Sequence, residues 1–220
     1  MKRKWLVAVA ALIPLVLIAI ALVSLPAPDY EVIAKGDGFE LRSYKPFNVA
    51  ETEVDGDFEG ASAPAFERLV GYIQRGNAGG RNLPMMAPVM QQPLGPQATS
   101  VEPQANPEQA SRWLVRFVMA KEYPMSYLPA PTDARVRLRE LPARLVAAKR
   151  YSGGWTAQRY YTREADLLSA LAEAGLVARG APSFARYNAA FVPWFLRHNE
   201  VLVEIDDGGA AVEALADRLD

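Results

Sequence analysis

The sequence predicts an α+β domain in which a distorted antiparallel β-barrel or sheet carries two helices. Short runs of strand character separated by turns make up most of the chain, and two longer stretches show helical periodicity. A weak internal repeat at an offset of 97 residues gives the same order of elements twice. These observations favour two ββαββ halves, at about residues 30–120 and 134–205, related by a pseudo-twofold axis.

The repeat depends on a few matched positions. These pair Leu41-Arg42 with Leu138-Arg139, Val49-Ala50 with Val146-Ala147, Gly56 with Gly153, and Phe58 with Trp155. In each copy the matched strands precede a helical pattern and two further strands follow it. The shared order of elements therefore supports the repeat more strongly than the identities do.

The first 28 residues have the composition of a membrane anchor followed by a spacer. Three cations, Lys2, Arg3 and Lys4, precede 21 uncharged residues, Trp5–Leu25. As a helix these would span roughly 31 Å, the thickness of a bilayer core. The sequence after them offers a poor signal-peptidase site, so we predict an uncleaved single-pass anchor. The cations predict a cytoplasmic N-terminus and an extracytoplasmic domain, periplasmic if the source is bacterial.

The remaining elements follow in order through the predicted domain, residues 29–205, and a tail, residues 206–220. Period-two patterns and turn residues predict strands at Tyr30–Ile33, Phe39–Tyr44, Phe47–Val54, Leu83–Met90, Trp113–Met119, Arg135–Leu141, Ala143–Tyr151, Phe184–Tyr187 and Glu200–Ile205. Helical spacing predicts helices at Ser62–Arg75, Tyr160–Ala174 and, in the tail, Ala210–Leu219. Pro88 predicts that its strand is an edge strand or contains a bulge. Gln91–Ala110, rich in proline and glutamine, is predicted to be a long loop.

Composition excludes several classes of function. The chain has no cysteine and one histidine, which excludes thiolate and His-pair metal sites. Residues 29–220 carry 21 basic and 25 acidic side chains, so a broad nucleic-acid surface is not expected. We find no nucleophile elbow and no phosphate-binding loop, and we therefore expect a protein that is not an enzyme.

Four groups of residues are candidates for binding, each with a structural alternative. His198 is either an axial ligand of haem iron or a surface or capping residue. The methionines around Met85 and Met86 suit an adaptable apolar pocket or a core. The aromatic residues Phe184, Tyr187, Phe191, Trp194 and Phe195 could wall a flat ligand or close a hydrophobic corner. Arg68 and Arg75, seven residues apart on the first helix, could pair with carboxylates or be solvated.

Several segments, taken in order, resemble the SOUL haem-binding protein family over most of residues 30–205. The resemblance covers Phe39-Glu40-Leu41-Arg42, Val49-Ala50-Glu51-Thr52, Gly56-Asp57-Phe58, Gly71-Tyr72-Ile73, Met85-Met86-Ala87-Pro88-Val89, Leu128-Pro129, Tyr151-Ser152-Gly153, Tyr187-Asn188 and Arg197-His198-Asn199-Glu200. The chain departs from the family pattern at Ala189-Ala190, where prolines are common, and at His198, where an arginine is common.

The resemblance implies a haem or other tetrapyrrole, bound but not obligatory, in a shallow hydrophobic cleft beside the first helix. The residues expected to contact it are Phe66, Leu69, Val70, Ile73, Met85 and Met86, with Arg68 or Arg75 near the propionates and His198 as a weak candidate for iron ligation. The expected function is that of a membrane-anchored, non-catalytic binder. The alternative is a protein-interaction module on the same fold that has lost its ligand. The sequence does not predict the oligomeric state.

Overall fold

The computed structural model describes residues 25–95 and 110–206, and within the tail Val212 and Leu215. These described residues contain nine strands: β1 Tyr30–Gly36, β2 Phe39–Tyr44, β3 Phe47–Asp55, β4 Met85–Pro93, β5 Arg112–Met119, β6 Val136–Leu141, β7 Arg144–Tyr151, β8 Ala178–Arg186 and β9 Asn199–Ile205. The helices α1, Ser62–Ile73, and α2, Ala157–Glu173, follow β3 and β7. Short 3₁₀ turns lie at Met125–Tyr127 and Trp194–Leu196.

All nine strands form one antiparallel sheet in the order β1-β2-β7-β9-β8-β4-β5-β3-β6. The strands β2, β3, β4 and β5 of the first half correspond to β6, β7, β8 and β9 of the second half. When each strand is replaced by its counterpart, the order β2-β7-β9-β8-β4-β5-β3-β6 reads the same from the opposite end. The strand order therefore has the pseudo-twofold pattern that the repeat predicts, with the axis between β8 and β4.

Of the two predicted forms, a distorted barrel or a sheet, the structure shows the sheet, which is strongly curved but not closed. Strands β2 and β3 lie six places apart in the sheet, roughly 29 Å if it were flat. Only Lys45 and Pro46 join them, and three Cα–Cα steps reach at most about 11 Å. The link Pro142-Ala143 joins β6 to β7 across the same number of strands. Both short links require the sheet to fold back on itself. In the described residues β1 pairs only with β2 and β6 only with β3, so the sheet stays open.

Alternation along the strands separates two apolar clusters, one on each face of the sheet. The helices cover one face, where Leu69 of α1 and Leu167 of α2 pack with Val115 and Val201 of the sheet. A smaller cluster containing Met90 and Leu202 lies on the concave face, away from the helices. The tail contributes Leu215, which is helical and buried in the larger cluster.

Two proline- or glycine-containing strands differ from their predicted form because bulges accommodate these residues. β4 is a central strand, so the edge-strand alternative for Pro88 is wrong, but its register with β5 shifts between Met86 and Val89. β8 begins at Ala178, six residues earlier than predicted. Its register with β9 shifts around Gly180, which has a φ of 72°. In each case the irregular strand has two more residues than its partner between the shifted pairs, and such a bulge lets the strand pass through the proline or glycine.

Some predictions concern residues that the structure does not describe. Residues 5–24 of the predicted anchor and residues 96–109 of the predicted loop are among them, whereas Gln91–Pro93 extend β4. In the described ranges no helix is long and apolar enough to cross a bilayer.

Candidate functional site

An open apolar groove runs beside α1, where the sequence places a shallow cleft. Its volume is about 760 Å³, within the range of small-molecule sites. The helix and the segment that leads into β4 form its walls. The lining residues are Phe66, Val70, Ile73, Gln74, Arg75, Asn82, Leu83 and Met85.

The groove exists because α1 buries only one side of its apolar surface. Leu69 and Tyr72 are buried in the core, whereas Phe66 is 43% exposed. The Phe66 ring packs edge-on against Phe117, with 5.4 Å between ring centroids. Val70 lies one turn further along and continues the exposed stripe. Since apolar side chains in water favour association with apolar partners, this stripe suits a flat hydrophobic ligand.

The C-terminal turn of α1 places a cation at the end of the groove. The N–H of Gly76 donates to the carbonyl of Gly71 at 2.8 Å, and that of Gln74 donates to Val70. The first of these bonds is the six-to-one hydrogen bond of a Schellman motif, whose left-handed position is usually glycine. Here Arg75 occupies that position with a φ of 76°. A bulky residue in this conformation is strained, and such strain is characteristic of functional sites.

The structure brings five of the nine predicted site residues together and places the other four elsewhere. Phe66, Val70, Ile73, Arg75 and Met85 line the groove. Leu69 points into the core beneath it.

Arg68 and Met86 also lie away from the groove. Arg68 donates hydrogen bonds to the hydroxyl of Thr52 at 2.7 Å and to the carbonyl of Glu53 at 3.0 Å, so its guanidinium is held against β3. Met86 belongs to the cluster on the concave face, because consecutive residues of a strand point to opposite faces.

His198 lies on the concave face in a hydrogen-bonded network around Glu200. Its Nε2 atom is 2.9 Å from a carboxylate oxygen of Glu200, and its ring stacks on Tyr187 with centroids 4.1 Å apart. Burial would raise the pKa of Glu200, but hydrogen bonds from His198, Arg42 and Tyr187 lower it to about 2. Nε2 is therefore engaged with a carboxylate, and His198 does not line the groove.

The predicted aromatic group is divided between the core and the surface. Phe184 is buried, whereas Phe191, Trp194 and Phe195 are all more than half exposed on the connection between β8 and β9. The Trp194 and Phe195 rings contact each other edge-on, at 5.5 Å. None of these rings lines the groove.

Sequence reasoning did not include Gln74, Asn82 and Leu83, which complete the groove. Gln74 follows Val70 at a spacing of four, so helical periodicity could have identified it. Asn82 and Leu83 reach the site through the return of the chain: the N–H of Leu83 donates to the carbonyl of Ile73 at 2.9 Å. No local pattern indicates that contact.

A model of the SOUL heme-binding protein family matches residues 25–204. The chain belongs to this family. No curated protein matches the sequence significantly.

Solved structures share the fold of this SOUL protein at low identity. The C-terminal domain of EcmrR has a TM-score of 0.52 and 10% identity over 81% of this chain and 99% of its own. An uncharacterized conserved protein from Listeria innocua has a TM-score of 0.52 and 11% identity over 79% of this chain and 94% of its own. A hydrolase from Listeria innocua has a TM-score of 0.50 and 10% identity with the same coverage. These similarities show the fold alone.

The residues of the groove match the haem group for which the SOUL family is named, both in their apolar surface and in their charge. Phe66 and Val70, backed by the buried Leu83, offer an apolar face to a macrocycle, and Arg75 offers a cation to its propionates. Met85 is the lining residue whose thioether could approach iron, and no imidazole joins it. In the described ranges no cluster of three or more His, Cys, Asp or Glu side chains forms a metal site. The binding energy available in the groove is therefore mainly apolar and cationic.

Proposed function

We propose that this chain is a membrane-anchored, non-catalytic binder of haem or another tetrapyrrole, held in the groove beside α1. The observation that carries the proposal is the pairing of an exposed apolar stripe with Arg75 in a left-handed conformation. Phe66 and Val70 form the accessible part of this stripe, and the buried side chain of Ile73 continues the groove wall, so that the three positions span about 10 Å of the helix. That length suits one planar macrocycle, with a propionate directed towards Arg75.

The groove favours weak and unselective binding of different porphyrins. It is shallow and open on one side, and its contacts to the ring are apolar and therefore non-directional. The metal in the ring is expected to have little effect on affinity, since the lining offers only the thioether of Met85 to it. Membership of the SOUL family supports a tetrapyrrole as the ligand class. The proposed anchor, residues 5–25, would hold this site near a membrane surface on the extracytoplasmic side.

The test is a titration of the full chain, in neutral-detergent micelles, with haem and with metal-free porphyrin. We expect a saturable shift of the Soret band at micromolar protein for both ligands, after subtraction of the signal from empty micelles. Phe66→Ala removes the most exposed aromatic contact and should weaken binding roughly tenfold. Tyr127→Ala is the matched control, because Tyr127 is also exposed but lies outside the groove. The absence of a saturable shift, or an equal effect of both variants, would contradict the proposal.

The exposed aromatic connection favours a second candidate, a protein-interaction module. Phe191, Trp194 and Phe195 are each more than half exposed, and the rings of Trp194 and Phe195 contact each other. Aromatic residues of this kind are enriched at protein interfaces. If the module is the function, haem binding should be absent, and a triple serine substitution at these positions should abolish the cellular phenotype of the chain. Retention of the phenotype in the triple variant would contradict this alternative.

A further inference from the structure

A second cleft lies on the concave face of the sheet, on the side opposite the helices. Its volume is about 340 Å³, and the strands β4 and β8 at the centre of the sheet contribute to it. The two short links of the fold border it: Tyr44 and Phe47 flank the first, and Pro142 belongs to the second. The curvature of the sheet therefore creates the cleft, and no segment of adjacent residues forms it.

Four arginines from four different strands line this cleft, which we call the arginine cleft: Arg116, Arg139, Arg144 and Arg179. Two of them share one acid, since Nε of Arg116 is 3.0 Å and Nη1 of Arg139 is 3.9 Å from the carboxylate of Glu51.

Within the described residues, Arg144 and Arg179 have no acidic partner within 4.0 Å. Glu204 also lines the cleft but stands opposite Arg179 in the strand register without forming an ion pair. Glu51 and Glu204 balance only two of the four cations.

Arg144 is the more buried of the two arginines that have no acidic partner. Its guanidinium lies 4.9 Å from the centroid of the Phe47 ring, and within the described residues it donates one hydrogen bond, at 3.4 Å, to the carbonyl of Pro142. Burial lowers the pKa of this side chain, and the charge of Arg116 lowers it further, while Glu204 and Tyr44 act in the opposite direction. A partly buried cation without a carboxylate destabilises the free protein. A bound anion would remove that penalty.

The rest of the lining supplies an apolar body for such an anion. The floor consists of buried Met90, Val146 and Leu202, and the wall includes the rings of Tyr44 and Phe47. The exposed arginines Arg139 and Arg179 stand at the rim. A ligand with one charged end and a compact apolar end would satisfy both parts of the cleft at once.

We propose that the arginine cleft binds a small anionic amphiphile, with a carboxylate, sulfonate or phosphate headgroup on an apolar body of one or two rings or a short acyl chain. The cleft has a volume of about 340 Å³ against about 760 Å³ for the groove beside α1, so the ligand we propose for it is smaller than a tetrapyrrole. The proposal does not depend on the proposed function, because the two sites lie on opposite faces of the sheet.

The probe for the test is 1-naphthalenesulfonate, titrated calorimetrically into the full chain in neutral-detergent micelles, with empty micelles as the blank. The comparison ligand, 1-naphthylmethylammonium, has the same rings and the opposite charge. We expect the sulfonate to bind with one-to-one stoichiometry and at least about tenfold more tightly than the ammonium. Decanoate and inorganic phosphate serve as competitors. Displacement of the sulfonate by decanoate supports a ligand with an anionic headgroup and an apolar body. If inorganic phosphate displaces the sulfonate as well as decanoate does, the ligand needs no apolar body and that part of the proposal is overturned.

Variants separate the cleft from general surface charge. The double variant Arg144→Gln, Arg179→Gln should lose the preference for the sulfonate. The matched control Arg150→Gln, Arg159→Gln removes two exposed arginines outside the cleft and should retain it. Arg144→Met separates loss of the site from loss of the fold. If the unpaired charge of Arg144 destabilises the free protein, this variant should have a higher unfolding temperature and should still lose sulfonate binding. A lowered unfolding temperature with sulfonate binding retained, or equal binding of both naphthalene probes to the native chain, would overturn the proposal.

Discussion

The guanidinium of Arg42 and the carboxylate of Glu200 form a bidentate pair across 158 residues of sequence. Nη1 donates to Oε2 and Nη2 donates to Oε1, both at 2.9 Å. The side chains are 4% and 1% exposed. Strands β2 and β9 carry them, on either side of β7. The hydroxyl of Tyr187 donates to the same carboxylate at 2.7 Å, so the pair is fully hydrogen-bonded despite its burial.

Removing the charge of Glu200 should destabilise the protein strongly. Glu200→Gln leaves Arg42 buried without its bidentate partner, and breaking such a pair costs about 3–5 kcal/mol. Glu40→Gln is the control, since Glu40 also pairs with Arg42 but is one-third exposed. We expect the control to lose less than about 1 kcal/mol. Urea unfolding monitored by circular dichroism measures both, and similar losses would contradict the assigned role of Glu200.

Stability should fall with acid in a way that depends on Glu200. Hydrogen bonds lower the pKa of this carboxyl from 4.5 to about 2 in the folded protein. The folded state therefore holds the carboxylate more strongly than the unfolded state, so this contribution is present above pH 4.5 and is lost as the pH falls towards 2. The shift corresponds to about 3 kcal/mol. Urea midpoints between pH 7 and pH 3 should fall more steeply for the native chain than for Glu200→Gln. Parallel curves would exclude the linkage.

Substitution by alanine should change the stability of the protein in opposite directions at Gly71, in the last turn of α1, and at Gly76, just after the helix. A Cβ at Gly76 would lie 2.4 Å from the carbonyl oxygen of Gly71, so Gly76→Ala must distort the turn and should cost about 2 kcal/mol. A Cβ at Gly71 would meet nothing within 4 Å, and helix propensity should make Gly71→Ala more stable by about 1 kcal/mol. Thermal unfolding of the pair tests the turn, and a stabilised Gly76→Ala would show that the turn differs from the one described.

Arg75→Gly should separate stability from ligand binding. Glycine adopts the left-handed conformation without steric cost, so the variant should be more stable by about 1 kcal/mol. It also removes the cation at the end of the groove, and haem affinity should fall several-fold. Arg75→Gln distinguishes the two effects, because it keeps the strained backbone and loses the charge. A gain in haem affinity for Arg75→Gly would argue against contact with a propionate.

His198→Ala should leave the spectrum of bound haem unchanged and lower stability. His198 contributes one of the hydrogen bonds to the buried carboxylate of Glu200 and lies outside the groove. Loss of that bond should cost about 1–3 kcal/mol. The Soret position of the haem complex and the urea midpoint are the two measurements. A displaced Soret band would instead identify His198 as an axial ligand.

Local patterns in the sequence were sufficient for most elements, and less so for the site. Period-two alternation predicted β2 with its observed ends, Phe39–Tyr44, because each residue's environment alternates with the pleat. The same rule meant that only one of Met85 and Met86 could face the groove, and the structure assigns Met85 to it. Helical spacing placed Phe66, Val70 and Ile73 on one face of the first helix, and the family resemblance made that face the expected cleft wall. The sequence did not distinguish Arg68 from Arg75 as the arginine at the groove, because the hydrogen bonds that hold Arg68 on β3 depend on how α1 packs against the sheet.

The sequence by itself determined the strands, both helices, the twofold order of elements and the family. Each of these follows from short-range periodicity or from motifs read in order along the chain. The tertiary structure decided the curvature of the sheet, the pairing of Arg42 with Glu200 and the gathering of Arg116, Arg139, Arg144 and Arg179 into one cleft. The curvature and the cleft arise because two-residue links must connect strands six places apart, whereas Arg42 and Glu200 meet because β2 and β9 both lie beside β7. That geometric constraint belongs to the folded sheet, and no local segment carries a signal of it.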